Sequence, residues 1–222
     1  MKIELKYGRD GLMVDLADDL DVTVIRKPAM PVIEDSGAAV SRALDTPVGT
    51  LPLRTLAETA NSAAIAVCDI TRPVPNGLFL RPMIEQLIGG GISADAITVI
   101  VATGLHRPNL GAELEELIGD SWVLRKVKVV NHYARDDDAH VLVGKTKKRG
   151  SVIRIDRRFV DADLRIVTGL VEPHFMAGYS GGRKVIAPGL AHAETITTFH
   201  NAKFMGYRLA TSCNLLVNPL HE

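Results

Sequence analysis

The pattern of apolar and polar positions changes about fifty residues into the chain. Residues 2–7 and 12–16 alternate charged and apolar side chains around a glycine-containing turn at residues 8–11, which predicts a β-hairpin. The same alternation over residues 21–26 predicts a third short strand. We therefore expect residues 1–50 to form a small β-rich segment packed on a main domain.

Further along the chain, apolar runs and amphipathic stretches follow one another in turn. Helices are predicted over residues 36–43, 51–60, 77–88, 111–118 and 193–203. Apolar strands are predicted over residues 63–67, 96–102, 127–130 and 164–170. Continuous β-branched runs that alternate with helices are typical of a parallel sheet covered on both faces. The predicted fold class is α/β, with a Rossmann-like, mostly parallel sheet, helices on both faces and a small β-rich N-terminal extension. The main domain is expected over residues 51–222.

Composition excludes several classes of protein. Lys plus Arg and Asp plus Glu are equal at 26 each in 222 residues, so no global basic field indicates a nucleic-acid partner. Cys68 and Cys213 are far apart and show no CxxC spacing, which argues against a disulfide framework or a zinc ribbon. The charged N-terminus does not have the pattern of a signal peptide, and no apolar run approaches the ~18 residues of a membrane span. We expect a cytoplasmic protein with neither a nucleic-acid nor a membrane partner.

Polar residues follow four of the predicted strands at the points where the strands end. They are Asp69, Thr71 and Arg72, then Thr103 and His106, then Asn131 and His132, and finally Glu172 and His174. Ligands of open parallel sheets bind beyond the carboxyl ends of the strands. The sequence therefore predicts that these residues line one edge of the sheet and form one site.

The residue types suggest what such a site could do. Arg72 could bind a carboxylate or a phosphate through two parallel hydrogen bonds, although an Asp–Arg pair that ties down a loop is the simpler alternative. Histidine as a residue type titrates near neutrality, so His106 and His174 are candidates for proton transfer. Two imidazoles from different strand ends could approach opposite faces of a small substrate, which would suit racemisation or epimerisation. A structural role remains open for each histidine, and His132 is the weakest candidate.

The strongest single motif is the run of Gly181, Gly182, Arg183 and Lys184. A glycine pair lets the backbone wrap around an anion, and the two cations add positive charge beside it. The motif has neither the Walker A spacing nor the GxGxxG fingerprint. Lys184 could act as a point charge or as a nucleophile toward a cofactor. His200, sixteen residues further along, is either a helix-surface histidine or a metal ligand.

Together these motifs resemble the N-terminal domain of the nickel-dependent lactate racemase family. The resemblance covers about residues 61–201. It rests on the motifs at residues 69–75 (DITRPVP), 102–107 (ATGLHR), 172–174 (EPH), 179–184 (YSGGRK) and 188–189 (PG), and on His200.

The resemblance implies an isomerase, a racemase or epimerase of a lactate-like 2-hydroxy acid that works by reversible hydride transfer. The implied cofactor is a nickel pincer nucleotide, pyridinium-3,5-bisthiocarboxylate mononucleotide, covalently linked to Lys184, with His200 as the nickel ligand. His106 and His174 would be the acid–base pair. The nucleotide or the substrate would be held by Asp69, Thr71, Arg72, Gly181, Gly182 and Arg183.

The resemblance also implies partners and a domain context. The partners would be a small 2-hydroxy-acid substrate and the enzymes that mature the cofactor. Family members have a second, C-terminal domain that closes the cleft, so we expect this sequence to be the cofactor-binding domain with an incomplete substrate pocket.

Two other functions remain open at this point. One is a non-catalytic phosphate- or nucleotide-binding module that uses Arg72, the glycine pair and Lys184. The other is a hydrolase whose metal is bound directly by histidines (His106, His174 and His200).

Overall fold

The computed structural model describes residues 1–8 and 10–221. Its contacts divide the chain into two compact units, Met1–Glu34 and Asp35–Glu222. The first unit contains the antiparallel strands β1 (Lys2–Leu5) and β2 (Leu12–Asp15), which confirms the predicted hairpin. The predicted turn includes Arg9, which lies outside the described residues. The predicted domain boundary at residue 50 stays a prediction.

The third strand predicted for the first unit is wrong. Residues 21–26 have no regular secondary structure, and the side chain of Ile25 is 92% exposed. An alternating pattern forms a strand only where a neighbouring strand supplies hydrogen bonds and a core receives the apolar face. In the described structure these residues have neither.

The second unit contains nine helices and eight strands among its described residues. The helices are α1 (Ser36–Asp45), α2 (Leu53–Ala57), α3 (Asn76–Gly89), α4 (Ala112–Ile118), α5 (Ser121–Lys126), α6 (Arg157–Val160), α7 (Arg183–Ile186), α8 (Ala193–Phe199) and α9 (Ala202–Met205). The strands are β3 (Ala63–Cys68), β4 (Ile97–Ala102), β5 (Lys128–Asn131), β6 (His140–Lys145), β7 (Val152–Asp156), β8 (Leu164–Val167), β9 (Pro173–His174) and β10 (Gly178–Tyr179). Short 3₁₀ turns lie at Ala94–Ala96 and Pro219–His221.

Four strands form the parallel sheet, in the order β5-β4-β3-β8. Ala63 of β3 lies opposite Ile97 of β4 on one side and Leu164 of β8 on the other. The chain therefore adds strands first to one side of β3 and then to the other. Such a reversal of strand order separates the loops on either side and opens a crevice at the carboxyl end of the sheet. The site is expected at this position.

The sheet is buried on both faces because its side chains alternate between two apolar clusters. Ile65 and Val67 of β3 pack with residues of helices α2 to α5. Ala64 and Ala66 face the opposite way and pack with residues of α6, α7 and α8. This arrangement confirms the predicted fold class, a parallel α/β sheet with helices on both faces. Among the described residues, no helix is long and apolar enough to cross a membrane.

The structure contains elements that the pattern did not predict. Strands β6 and β7 form an antiparallel hairpin whose register shifts between Leu142 and Gly144, so the alternation of side chains is interrupted there. The predicted helix over residues 193–203 is divided into two helices. Helix α8 ends before Asn201, and Asn201 is the N-cap of α9. Its side chain accepts a hydrogen bond from the Phe204 amide at 3.0 Å, as an N-cap asparagine does.

Candidate functional site

A cavity of about 370 Å³ lies at the carboxyl ends of β3 and β4. Most of the predicted site residues line it: Asp69, Thr71, Arg72, His106, His174, Gly181, Lys184 and His200. The two others, Gly182 and Arg183, are exposed and are outside the described lining. The structure thus brings together the residues that follow β3 and β4 with His174, whereas the strand-end residues Asn131, His132 and Glu172 are outside the described lining. The glycine pair is divided between the cavity and the surface.

Asp69 and His106 form the first functional pair. Strand β3 ends one residue before Asp69, which is only 5% exposed, and the loop after β4 carries His106. One carboxylate oxygen, Oδ2, lies 2.5 Å from Nδ1 of His106, and the other, Oδ1, accepts a hydrogen bond from the Thr71 hydroxyl at 2.6 Å. A carboxylate can only accept, so Nδ1 of His106 carries the proton. Neutral His106 therefore has an unprotonated Nε2 that can act as a base.

His174 has the opposite arrangement. It lies in the short hairpin formed by β9 and β10, and its Nδ1 accepts hydrogen bonds from the backbone amides of Met176 (3.2 Å) and Ala177 (3.0 Å). The proton of neutral His174 is therefore on Nε2. Burial, followed by the nearby charges of Lys184, Arg72 and His200, lowers its pKa to about 4. His174 is thus neutral near pH 7 and can donate a hydrogen bond from Nε2.

Lys184 lines the same cavity from the first turn of α7. Its backbone amide donates to the Gly181 carbonyl at 3.0 Å, which holds the start of this short helix. Burial of the amine lowers the pKa of Lys184, the positive charge of Arg72 lowers it further, and Cys68 and Asp69 oppose the change. A lower pKa increases the fraction of neutral amine, which is the nucleophilic form.

Two glycines allow the loops around the cavity to approach closely. Gly181 has φ +71°, and a Cβ there would lie 2.8 Å from the Leu170 carbonyl oxygen. A Cβ on Gly189 would lie 2.9 Å from the Cβ of Ala102. The carbonyl of Gly189 also accepts a hydrogen bond from the Gly104 amide at 2.9 Å. These contacts join the loop after β4 to the segment that follows α7.

His200 follows the last residue of α8. Its Nδ1 lies 3.2 Å from the carbonyl oxygen of Ile196. Because a carbonyl only accepts, Nδ1 carries the proton and Nε2 has a free lone pair, which is the form that binds metals. Desolvation, followed by the charge of Lys184, lowers the pKa of His200 and favours this neutral form.

Protein donors for a metal are few around this cavity. Within residues 1–8 and 10–221, no group of three or more His, Cys, Asp or Glu side chains could hold a metal ion. A direct site built from His106, His174 and His200 therefore has no support in the geometry. A metal bound by His200 would take its other donors from a bound ligand.

Sequence reasoning missed one polar group in the cavity and overvalued another. Cys68, the last residue of β3, lines the cavity. Burial, followed by the charge of Asp69, raises the pKa of its thiol. The signal for Cys68 was its position at the end of an apolar run.

His132 is outside the described lining and is only 1% exposed. Its Nε2 lies 2.9 Å from Nε2 of His140 behind the sheet edge.

The fold and the cavity define a class of protein before any comparison is made. This is an α/β domain with a strand-end cavity that contains two histidines protonated on different ring nitrogens, a lysine with a lowered pKa and a third histidine with a free lone pair. The family model described as the lactate racemase N-terminal domain matches residues 7–212. The chain belongs to this family.

Individual relatives agree with the family match. The lactate racemase of Thermoanaerobacterium thermosaccharolyticum is 35% identical over 222 residues, which cover 99% of this chain and 51% of the relative. The lactate racemase of Lactiplantibacillus plantarum is 35% identical over 184 residues, which cover 82% of this chain and 42% of that protein. The chain thus spans about half the length of these relatives.

Solved structures give the same result for the fold. The lactate racemase apoprotein from T. thermosaccharolyticum superposes with a TM-score of 0.85 at 32% identity, over 100% of this chain and 51% of that one. A protein from Thermotoga maritima superposes with a TM-score of 0.64 at 22% identity, over 84% of this chain and 44% of that one. At this lower identity the likeness concerns the fold alone.

Proposed function

We propose that this chain is the cofactor-binding part of a racemase or epimerase of a lactate-like 2-hydroxy acid. The observation that carries the proposal is the pair of oppositely protonated imidazoles, His106 and His174, in one cavity with Lys184. An unprotonated Nε2 on one ring and a protonated Nε2 on the other supply a base and a hydrogen-bond donor at the same time. Removal of the α-hydrogen as a hydride would use the base to take the hydroxyl proton and the donor to hold the carbonyl oxygen that forms.

The residues of the cavity fit a nickel pincer nucleotide. The amine of Lys184 would condense with a thiocarboxylate group of the nucleotide, losing water and leaving a thioamide link. Nε2 of His200 would be the protein ligand of nickel, and the sulfur donors of the nucleotide would complete a soft ligand set that suits this metal. When bound, this cofactor supplies the acceptance and return of a hydride at the α-carbon of the substrate.

The residues of the chain would bind the substrate and move its proton. His106 Nε2 would accept the proton of the substrate hydroxyl, and the buried carboxylate of Asp69 would stabilise the imidazolium that results. The imidazolium of His106 would return this proton to the product oxygen, and Nε2–H of His174 would donate a hydrogen bond to the substrate oxygen. Arg72 lines the cavity and would hold the substrate carboxylate through its guanidinium group.

Racemisation of lactate by the cofactor-loaded chain, joined to the C-terminal half of a full-length relative that completes the substrate pocket, tests this function. The fusion would be co-expressed with the cofactor-maturation enzymes, and the conversion of L-lactate to D-lactate would be followed by chiral chromatography. We expect conversion with retention of deuterium from 2-deuterated lactate, because the α-hydrogen does not exchange with solvent in this reaction. His106→Asn and His174→Asn should each lower kcat by roughly 100-fold or more.

Two outcomes would contradict the proposal. Loss of the deuterium to solvent would indicate proton abstraction at the α-carbon instead of hydride transfer. A chain that binds a nucleotide reversibly, carries no covalent cofactor and leaves lactate unchanged would be a non-catalytic nucleotide-binding module.

A further inference from the structure

A second cavity, of about 600 Å³, lies between the β6–β7 hairpin and the last described residues of the chain. It shares no described lining residue with the first cavity. Its volume is within the range of roughly 300–1,000 Å³ that is usual for small-molecule sites. Of the site residues expected from the sequence, only Arg183 lines this second cavity.

The charge of this cavity has one sign. Among the described residues that line it, the ionisable side chains are Lys145, Lys147, Lys148, Arg149, Arg183 and His221, and none is Asp or Glu. Val143, Ile153, Leu215 and Val217 supply apolar surface. Cations beside apolar walls suit a ligand that joins an anionic group to an apolar body.

The hairpin wall of the cavity is ordered by its own hydrogen bonds. The register of β6 and β7 shifts between Leu142 and Gly144, which places Val143 in a bulge, and bulges change the direction of the side chains that follow. Beyond the last pair, Thr146 closes the loop. Its amide donates to the Ser151 carbonyl at 3.0 Å, and its hydroxyl accepts from the Ser151 amide at 3.1 Å. Lys145 therefore lies at the end of β6, paired with Val152, and Lys147 lies on the loop that these hydrogen bonds hold.

The opposite wall is fixed by buried polar groups. Asn218 is 3% exposed, and its Nδ2 donates to the carbonyls of Met176 and Asn214 at 3.0 Å each. The imidazole of His221 donates from Nε2 to the Ala177 carbonyl at 2.6 Å. The guanidinium of Arg183 donates to the His221 carbonyl at 3.1 Å. One guanidinium nitrogen of Arg183 thus orients the side chain, and the other N–H groups of the guanidinium can still donate hydrogen bonds to a ligand.

We propose that this second cavity binds a small molecule that carries a phosphate group beside a flat apolar body, as a nucleoside monophosphate does. The phosphate would contact Lys145, Lys147 and Arg183, and the body would pack on the bulge residue Val143 and on Ile153. The concave shape and the ordered walls favour a small molecule over an acidic protein segment, which would need a more extended surface. This inference does not depend on the proposed racemase activity.

Calorimetric titration tests the site with defined probes. Adenosine monophosphate, adenosine, inorganic pyrophosphate and a hexaglutamate peptide would each be titrated into the purified chain. The titrations would be made at low ionic strength and at the physiological value of about 0.15 M. We expect saturable binding of adenosine monophosphate with a Kd of about 1 mM or tighter. Adenosine and pyrophosphate should each bind more weakly, because each lacks one half of the ligand.

Matched variants locate the binding. The double variant Lys145→Ala/Lys147→Ala should weaken adenosine monophosphate roughly tenfold or more through loss of two phosphate contacts. The control variant Lys126→Ala/Lys128→Ala removes the same charge, at the same spacing, from exposed positions elsewhere. Loss of two distant positive charges has a smaller, screened effect, so the affinity for adenosine monophosphate should stay within about twofold. Thermal unfolding of each variant would establish that it is folded.

Three results would overturn the proposal. The first is no saturable binding of adenosine monophosphate, or equal loss of binding in the two double variants. The second is loss of binding in Lys184→Ala with retention in Lys145→Ala/Lys147→Ala, which would place the nucleotide in the first cavity. The third is tight binding of hexaglutamate in place of the nucleotide, which would assign the surface to an acidic protein segment.

Discussion

Single hydrogen bonds determine which nitrogen of each cavity histidine can act. Asp69 holds the proton of His106 on Nδ1, two backbone amides keep Nδ1 of His174 unprotonated, and the Ile196 carbonyl leaves Nε2 of His200 free. Three imidazoles of the same chemical type thus differ at Nε2, which has a free lone pair in His106 and His200 and carries a hydrogen in His174. Their neighbours, which are backbone groups in two of the three cases, make the distinction.

Neighbouring residues also determine the pKa of the Lys184 amine, and with it the reactivity of this side chain. Arg72 is a cause of its lowered pKa, so Arg72→Gln should raise that pKa and shift the labelling of Lys184 by an amine reagent to higher pH. Competitive acetylation followed by peptide mass spectrometry measures this. Arg183→Gln is the matched control, because Arg183 is exposed and is not among the causes of the shift. Equal labelling profiles for wild type and Arg72→Gln would contradict the electrostatic explanation.

At the scale of elements, the site depends on how closely two loops approach. Gly189 has no left-handed backbone, but a Cβ there would overlap with the Val185 carbonyl oxygen and with Ala102. Gly182 has φ +49° and no atom near the position of a Cβ. A substitution at Gly189 therefore measures the cost of a steric clash, and one at Gly182 measures the cost of backbone strain.

We expect Gly189→Ala to destabilise the fold more than Gly182→Ala. A Cβ on Gly189 would lie 2.2 Å from a backbone oxygen, and this overpacking should cost about 3 kcal/mol or more in the free energy of unfolding. An alanine at the φ +49° and ψ −125° of Gly182 should cost about 1–3 kcal/mol. Urea denaturation of both variants measures the difference. A larger loss for Gly182→Ala would mean that the backbone relaxes around Gly189 and that the close approach is not required.

The same elements show what the sequence could predict. Parallel strands were predictable because continuous apolar runs such as Ile65 to Val67 are buried on both faces, and the positions of Asp69 and His106 followed from the strand ends. The β6–β7 hairpin was missed because the bulge at Val143 breaks its alternation. The protonated nitrogen of His106 was not predictable, since it depends on Asp69, which is 37 residues away in the sequence and is brought to the ring by tertiary structure.

For the whole molecule, buried histidines link stability to pH. Burial is the main cause that lowers the pKa of His132 to about 4, against an unperturbed value of 6.5. The neutral form is therefore the one that the folded state favours. The stability that His132 contributes is present above about pH 6.5 and is lost as the pH falls toward 4.

The free energy of unfolding should accordingly fall by on the order of 2 kcal/mol between pH 7 and pH 5 through this residue. His132→Gln should lower the stability at pH 7 but flatten its dependence on pH over this interval. Urea denaturation at several pH values compares the slopes, and the slope is independent of the overall cost of the substitution. Parallel curves for the two proteins would show that His132 does not titrate differently on folding.

The measurement that tests the central claim most directly is the intact mass of the chain after co-expression with the cofactor-maturation enzymes. The account predicts a mass increase equal to the pincer nucleotide with nickel, less one water. The increase should be absent in Lys184→Ala and present in Lys203→Ala, a lysine variant outside the described lining of the first cavity. An unmodified mass for the wild-type chain, in cells where a full-length relative is loaded, would contradict the proposed role of Lys184 and of the cavity around it.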